Sequence, residues 1–188
     1  MKPPRVFLLI PLLALLLAGC TGVPEGVQPV RGFDAERYLG TWHEIARLDH
    51  SFERGLVQVT ATYAKREDGG GIDVLNRGYD PVKGAWKEAE GRAYFIAEPD
   101  LASLKVSFFG PFYDGYHVFA LDPDYGWALI SGPTREYFWI LARQPQLPAE
   151  VLDDLLDKAR SAGFDTSALI FPLSGPDSPV QAAAAGQS

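Results

Sequence analysis

Residues 56–76 read LVQVTATYAKREDGGGIDVLN, and this stretch decides the fold class. From Leu56 to Tyr63 apolar and polar residues alternate, which is the two-residue period of a β-strand with one buried face. Asp68-Gly69-Gly70-Gly71 has the composition of a hairpin turn, and the alternation resumes over residues 72–76. The stretch therefore predicts two antiparallel strands joined by a tight turn.

The same pattern continues on both sides of this hairpin. One further strand is predicted before it, over residues 42–49. Five more are predicted after it, over residues 86–97, 103–109, 116–121, 127–131 and 136–143. Eight strands at nearly regular spacing, joined by short turns, are typical of an antiparallel sandwich or an up-and-down barrel.

A helix follows the last strand, over residues 148–162. Its apolar residues recur at helical spacing, at Val151, Leu152, Leu155, Leu156 and Ala159. Proline at the start and glycine just after the end are the usual residues at helix boundaries. The apolar stripe predicts that the helix packs on the outside of the sheet, and residues 168–171 are predicted to return as a short extra strand.

Three short motifs occur in order along the strands. The first is Gly-x-Trp, at Gly40-Thr41-Trp42; the second is Asp122 to Tyr125; the third, Tyr137 to Arg143, ends in arginine. Over residues 33–172 the sequence resembles the lipocalin family, and within it the bacterial outer-membrane lipocalins, kin to apolipoprotein D and the plant temperature-induced lipocalins. The resemblance implies an all-β fold: an eight-stranded antiparallel up-and-down barrel with one C-terminal α-helix packed outside.

The resemblance also implies a structural role for Gly40, Trp42 and Arg143, with the guanidinium stacked on the indole at the closed end of the barrel. Side chains alternate between the two faces of a strand, so inward-pointing Trp42 and Arg143 predict which neighbours also point inward. The residues placed inside on this basis are Glu44, Ala46, Leu48, Tyr137, Trp139 and Leu141. Phe138 and Ile140 are placed outside, beneath the helix.

The inward-facing residues predict an apolar interior with a few polar groups. An eight-stranded barrel either is filled by its own side chains or holds one small ligand, and the sequence leaves both possibilities open. The candidate ligand-binding residues are Tyr63, Val74, Asn76, Phe95, Phe108, Tyr116, Ile130, Tyr137 and Trp139. Glu44 is a carboxylate in this apolar setting, so it must be paired or protonated, with Arg143 or a tyrosine hydroxyl as the expected partner.

A dense apolar turn lies at residues 108–113, which read FFGPFY. Such a turn either packs inside the protein or exposes aromatic rings to a membrane or a second copy of the chain. The sequence does not decide between these two alternatives.

The N-terminal residues predict export and a lipid anchor. Lys2 and Arg5 precede a 13-residue apolar run that ends in Leu17-Ala18-Gly19-Cys20, the pattern of a bacterial lipoprotein signal. The alternative is an ordinary signal peptide with a chance cysteine. The expected organisation is a lipoprotein signal peptide over 1–19, a lipid-attached Cys20 with a tether over 20–30, a barrel over 31–172 and a disordered tail over 173–188.

Composition excludes several other classes. The net charge is −7, and removal of Lys2 and Arg5 with the signal makes it −9, which argues against a nucleic-acid partner. A single cysteine allows no intrachain disulfide, and no Cys/His cluster predicts a metal site. No nucleophile motif or cofactor-binding motif is present, so no enzyme activity, catalytic residue or cofactor is predicted.

The function predicted is that of a lipid-binding lipoprotein on the periplasmic face of the outer membrane. It would store or transport fatty acids, lysophospholipids or similar apolar ligands for envelope maintenance. Two other functions are compatible with the sequence. One is a structural or interaction lipoprotein with a filled barrel and no ligand, and the other is a lipid-modifying enzyme. A homodimer is a further possible assembly.

Overall fold

The structure is a computed structural model that describes residues 21–172. Its eight strands pair in sequence order and the last pairs with the first, so the sheet closes into an antiparallel barrel. The predicted eight-stranded barrel with one C-terminal helix is confirmed. In chain order the elements are α1 (Ala35–Tyr38), β1 (Gly40–Arg47), β2 (Val57–Lys65), β3 (Ile72–Asp80), β4 (Ala85–Phe95), β5 (Ser103–Ser107), β6 (Asp114–Leu121), β7 (Trp127–Ser131), β8 (Phe138–Ala142), α2 (Ala149–Ser161) and a 3-10 helix (Thr166–Ala168).

The barrel has two different ends because the strands run alternately up and down. We call the end that holds α1 the closed end, together with the connections over 66–71, 96–102 and 122–126. We call the opposite end the mouth, which holds the connections over 48–56, 81–84, 108–113 and 132–137. Cys20, the predicted signal segment 1–19 and the predicted tail 173–188 lie outside the described residues.

The protein has two apolar cores. The interior cluster fills part of the barrel, and its buried members include Trp42, Tyr63, Val74 and Ile130. The outer cluster lies between the barrel wall and α2, where Leu152, Leu155 and Ala159 are buried. The predicted amphipathic stripe thus packs on the outside of the sheet, against Phe138 and Ile140 among others.

A β-bulge in β1 changes which side chains point inward. The pairing of β1 with β8 shifts between Glu44 and Ala46, so two residues of β1 stand against one of β8. Beyond the bulge, Ala46 and Leu48 belong to the outer cluster, and the prediction that they line the interior is wrong. The Arg47 side chain points into the barrel instead. The one extra residue of the bulge makes every later side chain of β1 point to the opposite side of the sheet.

The chain segments on either side of the barrel pack against it. The predicted strand over residues 168–171 is limited to one bridge, in which Arg47 and Ile170 exchange two backbone hydrogen bonds of 2.9 and 2.8 Å. The segment from Gly22 to Val30 lies along the wall of the barrel. Val30 donates to Val118 and accepts from Ala102, each at 2.9 Å, and Val27 is buried in the outer cluster. Residues 22–30 of the predicted tether therefore lie against the barrel.

Within residues 21–172, no helix is both long enough and apolar enough to cross a membrane.

Candidate functional site

The closed end is sealed by an arginine stacked on a tryptophan. The guanidinium carbon of Arg143 lies 3.9 Å from the centre of the Trp42 ring. The same guanidinium donates to the carbonyls of Thr41, Arg37 and Leu39 at 2.8–3.0 Å, while the Trp42 indole donates to Tyr38 at 2.8 Å. These bonds tie α1 across the end of the barrel, so the closed end offers no entry for a ligand.

Glycine at position 40 is required by this arrangement. Its φ of +95° lies in the region that favours glycine, and a Cβ there would stand 3.3 Å from an Arg143 nitrogen. Gly40, Trp42 and Arg143 therefore form one packed unit.

Three tyrosine hydroxyls meet above this seal. The hydroxyl of Tyr116 lies 2.7 Å from that of Tyr38 and 2.8 Å from that of Tyr63. Burial raises the pKa of all three phenols, so they stay neutral at physiological pH. Two hydrogen bonds among three hydroxyls use two of their three protons. One proton of the group therefore remains for another acceptor inside the barrel.

The structure places most of the predicted ligand-binding residues in the interior. Asn76 has an inward register because it follows Val74 by two residues on β3, and its Oδ1 is buried with no hydrogen-bond partner among the described residues. Tyr137 differs, since it lies at the mouth and stacks on His50 at 6.0 Å between ring centres. The predicted residues found in the interior cluster are Tyr63, Val74, Phe95, Phe108, Tyr116, Ile130 and Trp139.

The side chains of the interior cluster differ in how completely they are buried. Tyr63, Val74 and Ile130 are buried, with at most 6% of their surface exposed. In contrast, the half-buried residues of the interior cluster include Val106, Phe108, Tyr116 and Trp139. Val106, Tyr116 and Trp139 belong to strands of the barrel wall, and Phe108 begins the connection at the mouth.

A buried polar cluster lies beneath the mouth, and we call it the mouth cluster: Glu44, Arg47, His50 and Glu53. Arg47 is 1% exposed; its guanidinium lies 2.5 Å from the Glu44 carboxylate and donates to the carbonyls of Glu53 and Leu56. The Glu53 carboxylate lies 3.0 Å from His50 Nε2 and accepts from the Trp139 indole at 3.1 Å. Arg47 thereby fastens the β1–β2 connection over one side of the mouth.

The two carboxyls of the mouth cluster have opposite pKa shifts. Burial, reinforced by the negative charge of Glu53, raises the pKa of Glu44 to about 8 in spite of the nearby Arg47. Burial also opposes ionisation of Glu53, but the close contact with His50, the hydrogen bond from the Trp139 indole and the positive charge of Arg47 hold its pKa below the ordinary value. One carboxyl therefore keeps its proton near neutral pH and the other is ionised, which reduces the charge buried at the mouth.

Sequence reasoning missed most of the mouth cluster. It expected Arg143 or a tyrosine to satisfy Glu44, whereas Arg47 does so, because the bulge turns Arg47 inward and Arg143 is used at the closed end. The available signal was a lone arginine among Ile45, Ala46 and Leu48, a charged residue in an otherwise apolar run.

His117 has a structural role on the outer face of the barrel. Its Nε2 lies 3.0 Å from the Gly22 carbonyl, which can only accept, so Nε2 carries the proton. Nδ1 then accepts from the Ser103 hydroxyl at 2.9 Å. Burial lowers the pKa of His117, which keeps the ring neutral in this arrangement. His117 therefore fixes the start of the N-terminal segment to the wall.

Two other features of the described residues offer no better site. A recess of about 600 Å³ lies outside the closed end, where Leu147 and Val151 of the α2 region form part of its lining. It opens to solvent, and those two residues also pack in the outer cluster. Residues 21–172 contain no group of three or more side chains able to hold a metal ion.

A closed eight-stranded barrel with one sealed end, an apolar interior and a single external helix is the architecture of barrels that hold one small ligand or are filled by side chains. A family model described as a lipocalin-like domain matches residues 33–174. The chain belongs to the lipocalin family.

Individual relatives agree with this assignment. The chain is 55% identical to the outer membrane lipoprotein Blc of Vibrio cholerae, over 85% of this chain and 94% of that protein. It is 54% identical to the protein of the same name in Escherichia coli, over 84% and 90% respectively. Mouse apolipoprotein D is 35% identical over 71% of this chain and 72% of its own length.

The structure of insecticyanin from the tobacco hornworm matches with a TM-score of 0.63 and 24% identity, over 84% of this chain and 89% of that one. At this identity the match concerns the fold alone. The names of the bacterial relatives support the predicted localisation, and the chain is an outer-membrane lipoprotein of the lipocalin family.

Proposed function

We propose that this protein binds single-chain lipids, such as fatty acids or lysophospholipids, inside the barrel and carries or stores them at the periplasmic face of the outer membrane. One observation carries the proposal: inward-pointing side chains of the interior cluster, Val106, Phe108, Tyr116 and Trp139, keep part of their surface uncovered. A barrel filled by its own side chains would bury them, as it buries Ile130. The acyl chain of a lipid has the shape and polarity to cover this surface.

The energetics suit a reversible carrier. Transfer of a methylene from water to an apolar site contributes about 0.8 kcal/mol, so a chain of about a dozen carbons contributes about 10 kcal/mol before the cost of ordering. Association costs at least about 4 kcal/mol, which leaves about 6 kcal/mol and corresponds to a dissociation constant of tens of micromolar.

Polar atoms inside the barrel can hold the polar part of the ligand. The free proton of the tyrosine group and the unpartnered Oδ1 of Asn76 offer one donor and one acceptor within an apolar wall. A hydroxyl group or a protonated carboxylic acid satisfies both, since each can accept from a tyrosine and donate to Asn76. A lipid with a polar headgroup too large for this region would leave the headgroup at the mouth.

The nature of the family also favours binding over catalysis, since lipocalins are generally binding proteins. The interior of the barrel offers neutral tyrosines, an amide and hydrocarbon, which position a ligand without supplying a nucleophile.

Titration with a fluorescent fatty acid tests the proposal. Val106→Trp adds bulk to the interior, and Lys105→Trp adds the same ring on the opposite face of β5 as a matched control. We expect saturable micromolar binding to the unaltered protein and to Lys105→Trp, and at least tenfold weaker binding to Val106→Trp. No saturable binding to the unaltered protein, after lipid extraction, would support a filled barrel with a structural role and overturn the carrier proposal.

A further inference from the structure

The exposed apolar side chains gather at one end of the molecule. Seven large apolar residues are exposed among the described residues, and five of them lie at the mouth. Ile96 lies at the closed end and Val23 in the N-terminal segment. The mouth residues are Phe52 at 55%, Val82 at 93%, Trp86 at 44%, Phe109 at 79% and Phe112 at 73%. We call these five side chains the apolar rim.

The apolar rim is distributed over three connections rather than one. Phe52 belongs to the β1–β2 connection, Val82 to the β3–β4 turn, and Phe109 and Phe112 to the β5–β6 connection. Trp86 stands just below, at the start of β4, with the Arg77 guanidinium 4.1 Å from its ring centre. A ring of apolar side chains with an aromatic–arginine pair behind it has the order found at a membrane interface, where apolar groups enter the acyl region and tryptophan and arginine lie at headgroup level.

The N-terminal segment begins beside this rim. His117 holds Gly22, and the same His117 ring lies over Gly115, since a Cβ on Gly115 would stand only 2.5 Å from Nε2. Gly115 is one residue from Asp114, where β6 starts at the mouth next to the connection that carries Phe109 and Phe112. The fixed start of the segment is therefore on the mouth half of the wall.

The distance from there to the predicted anchor is short. Cys20 precedes Gly22 by two residues, and two extended residues span at most about 7 Å. Since acyl chains on Cys20 enter the membrane, the bilayer surface must come within this distance of the wall beside the mouth. A long free tether would have left the orientation of the barrel open.

We propose that the mouth of the barrel docks on the lipid bilayer, with Phe109 and Phe112 inserted among the acyl chains beside the anchored Cys20. This inference rests on the proposed lipid anchor at Cys20 and deepens the proposed function. A single-chain lipid then moves between bilayer and barrel through the mouth, and its acyl chain never crosses bulk water.

Depth-dependent fluorescence on the full lipidated protein tests the docking. Phe112→Cys, and Ile96→Cys at the closed end as a matched exposed control, are labelled with an environment-sensitive dye. The acylated thiol of Cys20 cannot react with the dye. The protein is reconstituted in vesicles of phosphatidylethanolamine and phosphatidylglycerol that contain a lipid with a spin label on its acyl chain. We expect a blue shift and several-fold stronger quenching at position 112 than at 96, and reduced quenching at 112 when Phe109→Ser is added.

Three results would overturn the proposal. Equal quenching at both positions, or no quenching at either while the protein stays with the vesicles, would show that the mouth does not face the bilayer. A blue shift at position 112 that depends on protein concentration and not on vesicles would show that a second copy of the chain covers the rim. Failure of the protein to sediment with vesicles would instead refute the lipid anchor, and a soluble barrel that still binds fatty acid would leave the carrier function standing.

Discussion

Arg47 and Glu44 form a buried pair, 2.5 Å apart, on the two sides of the β-bulge in β1. The pair exists because the bulge points both side chains into the barrel, although the strict alternation of a strand would separate residues three apart. The Arg47 guanidinium also donates hydrogen bonds to two backbone carbonyls of the β1–β2 connection. The bulge and the mouth cluster therefore depend on each other.

Removing one member of this pair should destabilise the protein strongly. Arg47→Met leaves the Glu44 carboxyl and the carbonyls of Glu53 and Leu56 without their donor, and we expect a loss of about 3–5 kcal/mol in the free energy of unfolding. Urea unfolding followed by tryptophan fluorescence measures it. Arg92→Met, an exposed arginine on β4, is the control and should change stability by less than about 0.5 kcal/mol.

The double variant separates the pair from its surroundings. Glu44→Gln combined with Arg47→Met alters both partners of the contact, so the total loss should be smaller than the sum of the two single losses. Strict additivity of the two losses would contradict a direct interaction between these side chains.

Stability should fall between weakly acidic and alkaline pH because of Glu44. Its folded-state pKa is about 8, against 4.5 for an ordinary glutamate, so the folded state binds this proton more tightly than the unfolded chain. The resulting stabilisation is complete below the unfolded pKa and is lost as pH rises through the folded pKa. Urea unfolding at about pH 5 and about pH 9 should therefore show a decrease in the unaltered protein that is smaller in Glu44→Gln.

The control for the pH effect is Glu90→Gln, an exposed glutamate on β4. It should keep the pH dependence of the unaltered protein. Equal slopes in Glu44→Gln and Glu90→Gln would show that Glu44 does not retain its proton in the fold.

The sequence predicts the fold well because its signals are local. Period-two alternation in residues 56–63, the glycine turn at 69–71 and the helical stripe of α2 each depend on neighbours along the chain. The packing of Arg143 on Trp42 at the closed end is predicted by the short motifs that contain Gly40, Trp42 and Arg143. The strand ends differ by a few residues, as for β8, which starts at Phe138 and not at Glu136.

The parts that the sequence does not predict depend on distant contacts. Nothing in the composition of residues 44–47 marks a bulge, so the alternation placed Ala46 and Leu48 inside. Residues 22–30 contain proline and glycine, as a tether does, yet His117, Val118 and Arg135 bind their carbonyls or amides from far along the chain. Such partners become visible only once the barrel has closed.

Replacing Arg143 by lysine should weaken the closed end. Lysine keeps the positive charge but cannot stack on Trp42 and donate to three carbonyls at once. We expect a loss of about 1–3 kcal/mol, measured as a lower Tm by circular dichroism. Arg54→Lys, at an exposed pair with Asp49, should leave the Tm nearly unchanged, and a similar drop in both variants would argue against the sealing role.

His117→Phe should release the N-terminal segment while leaving the barrel intact. Phenylalanine preserves most of the ring volume but loses the contacts with Gly22 and Ser103. We expect faster hydrogen exchange at the Val30 amide, which is bonded to Val118, and faster proteolysis within residues 21–30. The control is His43→Phe, at a half-buried histidine on β1. Equal hydrogen-exchange protection of the Val30 amide in both variants would contradict the role of His117 in holding the N-terminal segment.

Cys20→Ser should remove the lipid anchor. Two or three acyl chains on one residue give stable membrane attachment, whereas a mature protein with a net charge of −9 gains nothing from an anionic lipid surface. In cells grown with labelled palmitate we expect no label in Cys20→Ser and loss of the mature protein from the outer-membrane fraction, while Thr21→Ser remains labelled and anchored. Label that persists in Cys20→Ser would refute acylation at this position. Because the barrel is folded from residue 22 onward independently of the anchor, purified Cys20→Ser barrel should still bind fatty acid, and this separates the loss of attachment from a loss of fold.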